Sequence, residues 1–187
     1  GRFPDYVEIR AKMRGQDYRS LRFDHVIIAA HSDQALSMLA DPSPTEKEVL
    51  GAIHYQVNEA VLHTDTSLLP KRSLAWAAWN YRLLGARPDR VVLTYHMNTL
   101  QSLTAPCEFC VTLNQTQAIN PAKILHRITY HHPVYSPEAV AAQKRHAEIN
   151  GVNRTSYCGA YWGFGFHEDG VNSALAVCKP FGKDLSS

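Results

Sequence analysis

Tyr157-Cys158-Gly159-Ala160-Tyr161-Trp162-Gly163-Phe164-Gly165-Phe166-His167-Glu168-Asp169-Gly170-Val171-Asn172-Ser173-Ala174-Leu175 carries the most information in this chain. A short strand over 155–160 runs into a loop rich in glycine and aromatic residues, and a helix is expected from 168 or 170 to 177. Glycines let a backbone approach a flat ligand closely. The start of a helix offers N–H groups that have no intrahelical partner, a setting for negative charge or carbonyl oxygens. The same residues equally suit a tight strand-to-helix connection in which glycine only supplies unusual backbone angles.

Working outward, 6–10 and 18–23 alternate apolar and polar residues around the turn at 14–17, which reads as a hairpin with one wet face. Val26-Ile27-Ile28-Ala29-Ala30 is apolar at every position, as in a strand covered on both faces. A helix follows at once, capped by Ser32 or Asp33, and Asp41-Pro42-Ser43-Pro44 breaks it. Thr45 and Glu48 fit a capping box for a second short helix.

The middle is strand-rich, with candidates at 53–64, 75–81, 90–97, 109–113 and 125–130 and breaks at Pro70, Gly85, Pro88 and Pro106. This spacing predicts a large antiparallel or mixed sheet. Ser136 and Pro137 open a helix over 139–149 that Asn150-Gly151 ends. The fold class expected is therefore α+β, built on a mixed sheet.

The segment 157–175 resembles the C-terminal flavin-binding motif of flavin-containing amine oxidases and phytoene desaturase-like oxidoreductases. There a strand ending in Ala-Gly meets a loop and a helix whose N-terminus faces the isoalloxazine ring. Phe23-Asp24-His25-Val26-Ile27-Ile28-Ala29-Ala30-His31 is similar to the strand that closes the FAD domain of that family. Tyr95-His96-Met97-Asn98-Thr99-Leu100-Gln101 and Tyr130-His131-His132-Pro133-Val134 also resemble the subgroup of predicted NAD/FAD-binding proteins. The likeness covers most of the chain, from about 22 to 177.

The resemblance implies a partial, Rossmann-like FAD-binding domain from 1–31 and 151–187, around a substrate-binding domain over 32–150. It implies FAD as cofactor, contacted by Gly159, Ala160, Gly170, Val171 and Asn172, with Tyr161, Trp162 and Phe164 beside a hydrophobic substrate. Hydride transfer from substrate carbon to flavin is the implied reaction. Two features depart from the family pattern: Ala160 stands where an acidic residue usually follows the glycine, and no GxGxxG loop occurs anywhere. The pyrophosphate half of the site is thus missing, and the chain alone is expected to be inactive. Its expected partner is the missing dinucleotide-binding half or another polypeptide covering the open face. The alternative function is a non-catalytic subunit or assembly module that keeps part of the flavoprotein fold.

Other chemistries find little support. Net charge is +2 with no cluster of five basic residues, so no nucleic-acid footprint is visible. The apolar runs are too short to span a membrane. With no secretory signal and four cysteines, a cytoplasmic protein with reduced thiols is expected, and the opening Gly1-Arg2-Phe3-Pro4 looks excised from something longer. Cys107 and Cys110 form a lone CxxC without further zinc ligands and read as two buried thiols. His63 and Asp65 share a strand face without a third ligand, and adjacent His131 and His132 point to opposite faces, so no metal is expected. Trp76 and Trp79 read first as sheet core.

Overall fold

The computed structural model describes residues 1–12, 14–15, 17–83 and 91–186. In chain order, β1 (Val7–Lys12), β2 (Tyr18–Phe23) and β3 (Val26–Ile28) precede α1 (Ser32–Met38) and α2 (Pro44–Gly51). The middle holds β4 (Tyr55–His63), β5 (Trp79–Tyr81), β6 (Leu93–His96), α3 (Met97–Leu100), β7 (Cys110–Leu113) and β8 (Ile124–Pro133). The chain then forms α4 (Pro137–Gln143), α5 (His146–Ile149), β9 (Thr155–Tyr157) and α6 (His167–Cys178). Among the described residues the strands make three separate sheets, and the class is α+β.

Two compact units result, one of Gly1–Tyr55 with Pro133–Ser187 and the other of Gln56–His132. The expected boundaries at 31 and 150 are displaced because four helices belong with β3 and β9. Ala35 of α1, Val49 and Leu50 of α2, Ala142 of α4 and Ile149 of α5 pack with Ile28 and Tyr157 in one core. A helix with an apolar stripe must bury it, and this pair of strands is where these stripes close.

In the first unit, β3 and β9 pair in parallel, Val26 with Thr155 and Ile28 with Tyr157. The two segments that resemble parts of one domain therefore share a sheet, as expected. The edges of this sheet differ. On β9, Tyr157 N–H donates to Asn150 Oδ1, His146 Nε2 donates to Tyr157 O at 2.8 Å, and Gly151 N–H donates to Thr155 O. The outer side of β3 instead borders a cavity of about 540 Å³ lined by Val26–Ala30 together with Ile9, Met38 and Leu39. The apolar run is thus strand only over Val26–Ile28, and Ile27 stays 43 % exposed. The expectation of cover on both faces fails because Ile27, on the face opposite Val26 and Ile28, is left exposed.

β1 and β2 pair as the expected hairpin, antiparallel from Val7–Phe23 to Lys12–Tyr18, but all six residues of β2 are exposed, so the expectation of only one wet face fails for that strand. Its N-terminal lead is tied inward by Arg2, whose guanidinium donates to Glu46 at 2.5 and 2.9 Å and also reaches Asp41. Tyr157 Oη donates to the same Glu46 carboxylate at 2.7 Å. Burial alone would raise the Glu46 carboxyl, but the Arg2 and Tyr157 hydrogen bonds hold it down at about 2.

The second unit holds a five-stranded sheet in the order β5-β6-β7-β4-β8. Paired residues place Val61, His63, Thr94, His96, Cys110 and Thr112 on one face, all buried. His63 Nε2 lies 2.8 Å from Thr112 Oγ1, and Thr112 Oγ1 lies 2.9 Å from Thr94 Oγ1. The strand expected at 75–81 is confined to Trp79–Tyr81, because Ser73–Ala75 turns as a 3-10 helix. The helix expected over 139–149 breaks into α4 and α5, with Lys144 and Arg145 N–H donating to the carbonyls of Ala141 and Ala142. The breaks at Gly85 and Pro88 lie outside the described residues.

Candidate functional site

The turn from β9 into α6 is built around its own side chains. A Cβ at Gly159 would sit 2.5 Å from the Tyr161 ring, so glycine is required there by Tyr161. Gly159 N–H donates to Ser173 Oγ at 2.8 Å, and Ser173 Oγ donates to Gly170 O, which stitches strand end to helix. Gln143 Nε2 donates to the carbonyls of Tyr161 and Gly163, pinning the 3-10 turn Ala160–Trp162 from α4. The Asp169 carboxylate fills the space beside Gly163, and its Oδ2 accepts from Phe164 and Phe166 N–H, each at 3.0 Å. Gly165 has φ +86°, and its open side is taken by the Tyr135 hydroxyl. Only glycine combines that backbone with so little room.

This geometry corrects several sequence expectations. α6 begins at His167, so Gly170 lies one turn inside and its N–H donates to Phe166 O at 3.2 Å. Gly170 therefore offers no free donor, and Val171 and Asn172 are exposed within the helix. The N–H groups that lack intrahelical acceptors belong to the first turn, His167, Glu168 and Asp169. Gly159, Ala160 and Gly170 do come together: a Cβ at Gly170 would stand 3.9 Å from Ala160.

The three aromatic residues do not form one wall. Tyr161 is buried with Ile53 and Ala139, and burial pushes its hydroxyl above its ordinary pKa. Trp162 is half-buried and packs on the His146 ring at 4.3 Å and on the Tyr161 ring at 5.0 Å. Phe164 is 72 % exposed. Their shared sequence signal, an aromatic beside glycine, does not say which way each ring turns.

Reasoning from sequence missed the residues at the carboxyl end of β3. In open parallel sheets, ligands bind outside the carboxyl ends of the strands. His31 stacks on Tyr55 there at 4.5 Å, and Ser32 N–H donates to Tyr55 Oη at 3.0 Å. Finding them requires knowing that β3 and β9 are parallel neighbours, which no local pattern reveals.

Electrostatics select the ligand for the start of α6. Glu168 and Asp169 occupy the first turn and offset the positive end of the helix dipole. A phosphate or carboxylate is therefore disfavoured there, whereas neutral carbonyl oxygens of a flat heterocycle suit the remaining N–H donors. The ring end of a flavin fits these residues. For its nucleotide end the chain supplies no GxGxxG loop.

The remaining candidates are structural. Cys110 is buried and its thiol pushed up to about 11, chiefly by burial, whereas Cys107 is exposed, so the CxxC is not a pair of buried thiols. His63 accepts Asp65 N–H and faces Thr112, and no three metal-ligating side chains converge among the described residues. Trp76 donates to Pro70 O and packs on His96, while Trp79 is 54 % exposed and so outside the core.

No protein-family model matches the chain, and no curated protein matches it. Among solved structures it is similar to the crystal structure of a CLA-producing fatty acid isomerase from P. acnes, with a TM-score of 0.58 and 15 % identity. The match covers 96 % of this chain and 45 % of that one, so the chain spans less than half the length of its structural neighbour. At this identity the likeness is one of fold. Among the described residues no helix is long and apolar enough to cross a membrane.

Proposed function

We propose that this chain is the flavin-facing and substrate-facing part of an FAD-dependent oxidoreductase of the amine oxidase and phytoene desaturase-like kind. The observation that carries the reading is the parallel pairing of β3 with β9, followed directly by the glycine loop and α6. Those are the two segments whose sequences resemble the flavin domain. Fold similarity to a fatty acid isomerase supports a hydrophobic, acyl-type substrate.

FAD would supply a hydride acceptor at this site. The chain's own part is to hold and orient the ring: first-turn N–H groups of His167 and Glu168 would donate to carbonyl oxygens, and the Gly159–Ala160 backbone would let the ring approach. Asp169 positions the loop, through Phe164 and Phe166 N–H, so that those donors keep their direction. The uncapped side of β3 is where a dinucleotide-binding half, or another polypeptide, would continue the sheet. That same side favours a second reading, in which the chain is a non-catalytic assembly module.

The test is visible flavin absorbance. The natural polypeptide, purified without added cofactor, should carry flavin, and the 187-residue chain titrated with FAD should not retain it stoichiometrically. A colourless natural polypeptide favours the assembly module. Stoichiometric retention by the isolated chain contradicts the missing pyrophosphate half.

A further inference from the structure

We infer that the second unit carries a separate anion site, shaped for a carboxylate attached to an apolar chain. A cleft of about 320 Å³ is lined by Ser67, Leu68, Leu69, Lys71, Tyr81 and Arg82, among others. Two elements fix its walls. The 3-10 turn Thr66–Leu68 is held by Asp65, which accepts Ser67 N–H, and it delivers Ser67 and Lys71 to one side. β5 delivers Tyr81 to the other, and Arg82 N–H donates to Val92 O at 3.0 Å, which extends the ladder by one residue and holds Arg82 at the strand end. The connection between the walls is tied by the Trp76 indole N–H on Pro70 O at 2.8 Å.

Among the described residues the cleft carries two cations, Lys71 and Arg82, and none of those lining it is acidic. Asp65, the acidic residue nearest in sequence, is committed elsewhere, accepting from Ser67 and Asn120 N–H and lying 3.6 Å from Lys123 Nζ. Among the described residues neither Lys71 nor Arg82 forms an ion pair. Asn80 spends its amide on Ala77 and Thr94 and so shapes the wall without recruiting ligand. An Arg fork with one Lys and the Ser67 hydroxyl matches a single carboxylate better than a polyanion. Tyr81, which lines the cleft and is 55 % exposed, offers apolar surface to whatever the carboxylate is attached to.

This site stands apart from the flavin reading, because all of its residues lie in the second unit. Calorimetric titration of the chain with decanoate, methyl decanoate and inorganic phosphate tests it. Decanoate should bind saturably, and the double variant Lys71→Ala/Arg82→Ala should bind it at least about ten-fold more weakly with an unchanged thermal midpoint. Lys47→Ala, an exposed lysine in α2, should bind as the parent does. Methyl decanoate or phosphate binding as tightly as decanoate would overturn the assignment, as would absent decanoate binding or undiminished binding by the double variant.

Discussion

The two units bury their strands by different means. In the second, five strands pair among themselves, and the buried face is a run of hydroxyls and imidazoles that satisfy one another, His63 to Thr112 to Thr94. In the first, two short parallel strands are enclosed by four helices, and the polar link is the cluster of Arg2, Glu46 and Tyr157. The second sheet finds its order within one stretch of chain. The first joins the two ends of the sequence, caps one edge with α5 and its following turn, and leaves the other beside a cavity. Contacts between distant segments make the first unit depend on a few tie points, whereas the second shares its load across registers.

The largest effect should come from cutting such a tie. Glu46→Ala leaves the buried Tyr157 hydroxyl without its acceptor and the Arg2 guanidinium with Asp41 alone, and loss of one partner of a buried ion pair costs up to about 3–5 kcal/mol. Urea denaturation should show this loss, and a change below about 1 kcal/mol would mean that the first unit is held elsewhere. Thr112→Val removes only the middle hydroxyl of the second unit's network. A buried group left unpaired costs about 1–3 kcal/mol, so a smaller shift of the urea midpoint is expected. If Thr112→Val exceeds Glu46→Ala, the contrast between the units is inverted.

Acid should sharpen the same contrast. Burial pushes the His63 and His146 imidazoles below their ordinary value of 6.5, so the unfolded chain takes up protons that the folded chain refuses. Their contribution is full above that value and declines as pH falls through it. Glu46 behaves as a depressed carboxylate: its contribution is full above the ordinary 4.5 and is lost as pH falls toward about 2. Urea midpoints at about pH 7, 5 and 3 should therefore fall in two stages, and Glu46→Gln should flatten the second.

The smallest effect belongs to Gly170. It sits inside α6 with ordinary contact room at Ala160, so Gly170→Ala should stabilise the helix by up to about 1 kcal/mol. Gly159→Ala should instead destabilise by about 1–3 kcal/mol, because the new Cβ meets the Tyr161 ring. Thermal midpoints of the two variants moving in the same direction would contradict the placement of α6.

These contrasts mark how far the sequence could be read. Alternation in β1 and β2 around a turn is a local signal, and the hairpin pairs as expected although β2 buries neither face, and most strands of the second unit stand where expected. The parallel pair was legible only through resemblance, since Val26 and Thr155 carry no mark that they meet. Of the two starts expected for α6, 168 lies beside the observed His167 and 170 does not: Gly170 looks like a break, whereas Asp169 folds back on Phe164 and Phe166 and opens the helix earlier. The unit boundary was misplaced because α1 and α2 follow β3 in sequence toward the second unit yet pack on β3 itself. Ring orientation at Tyr161, Trp162 and Phe164 depends on Ala139 of α4, His146 of α5 and Tyr135, neighbours that local sequence does not encode.

The central claim is that the first-turn donors of α6 face a flavin ring, and His167→Pro in the natural polypeptide tests it most directly. Proline is well tolerated at the first helical position, so α6 should form while the His167 N–H is removed. The expected result is a parent that carries flavin and a folded variant that holds it several-fold more weakly, in line with a lost hydrogen bond of about 1 kcal/mol. A variant with the parent's flavin affinity, or a parent with no flavin at all, would contradict the claim.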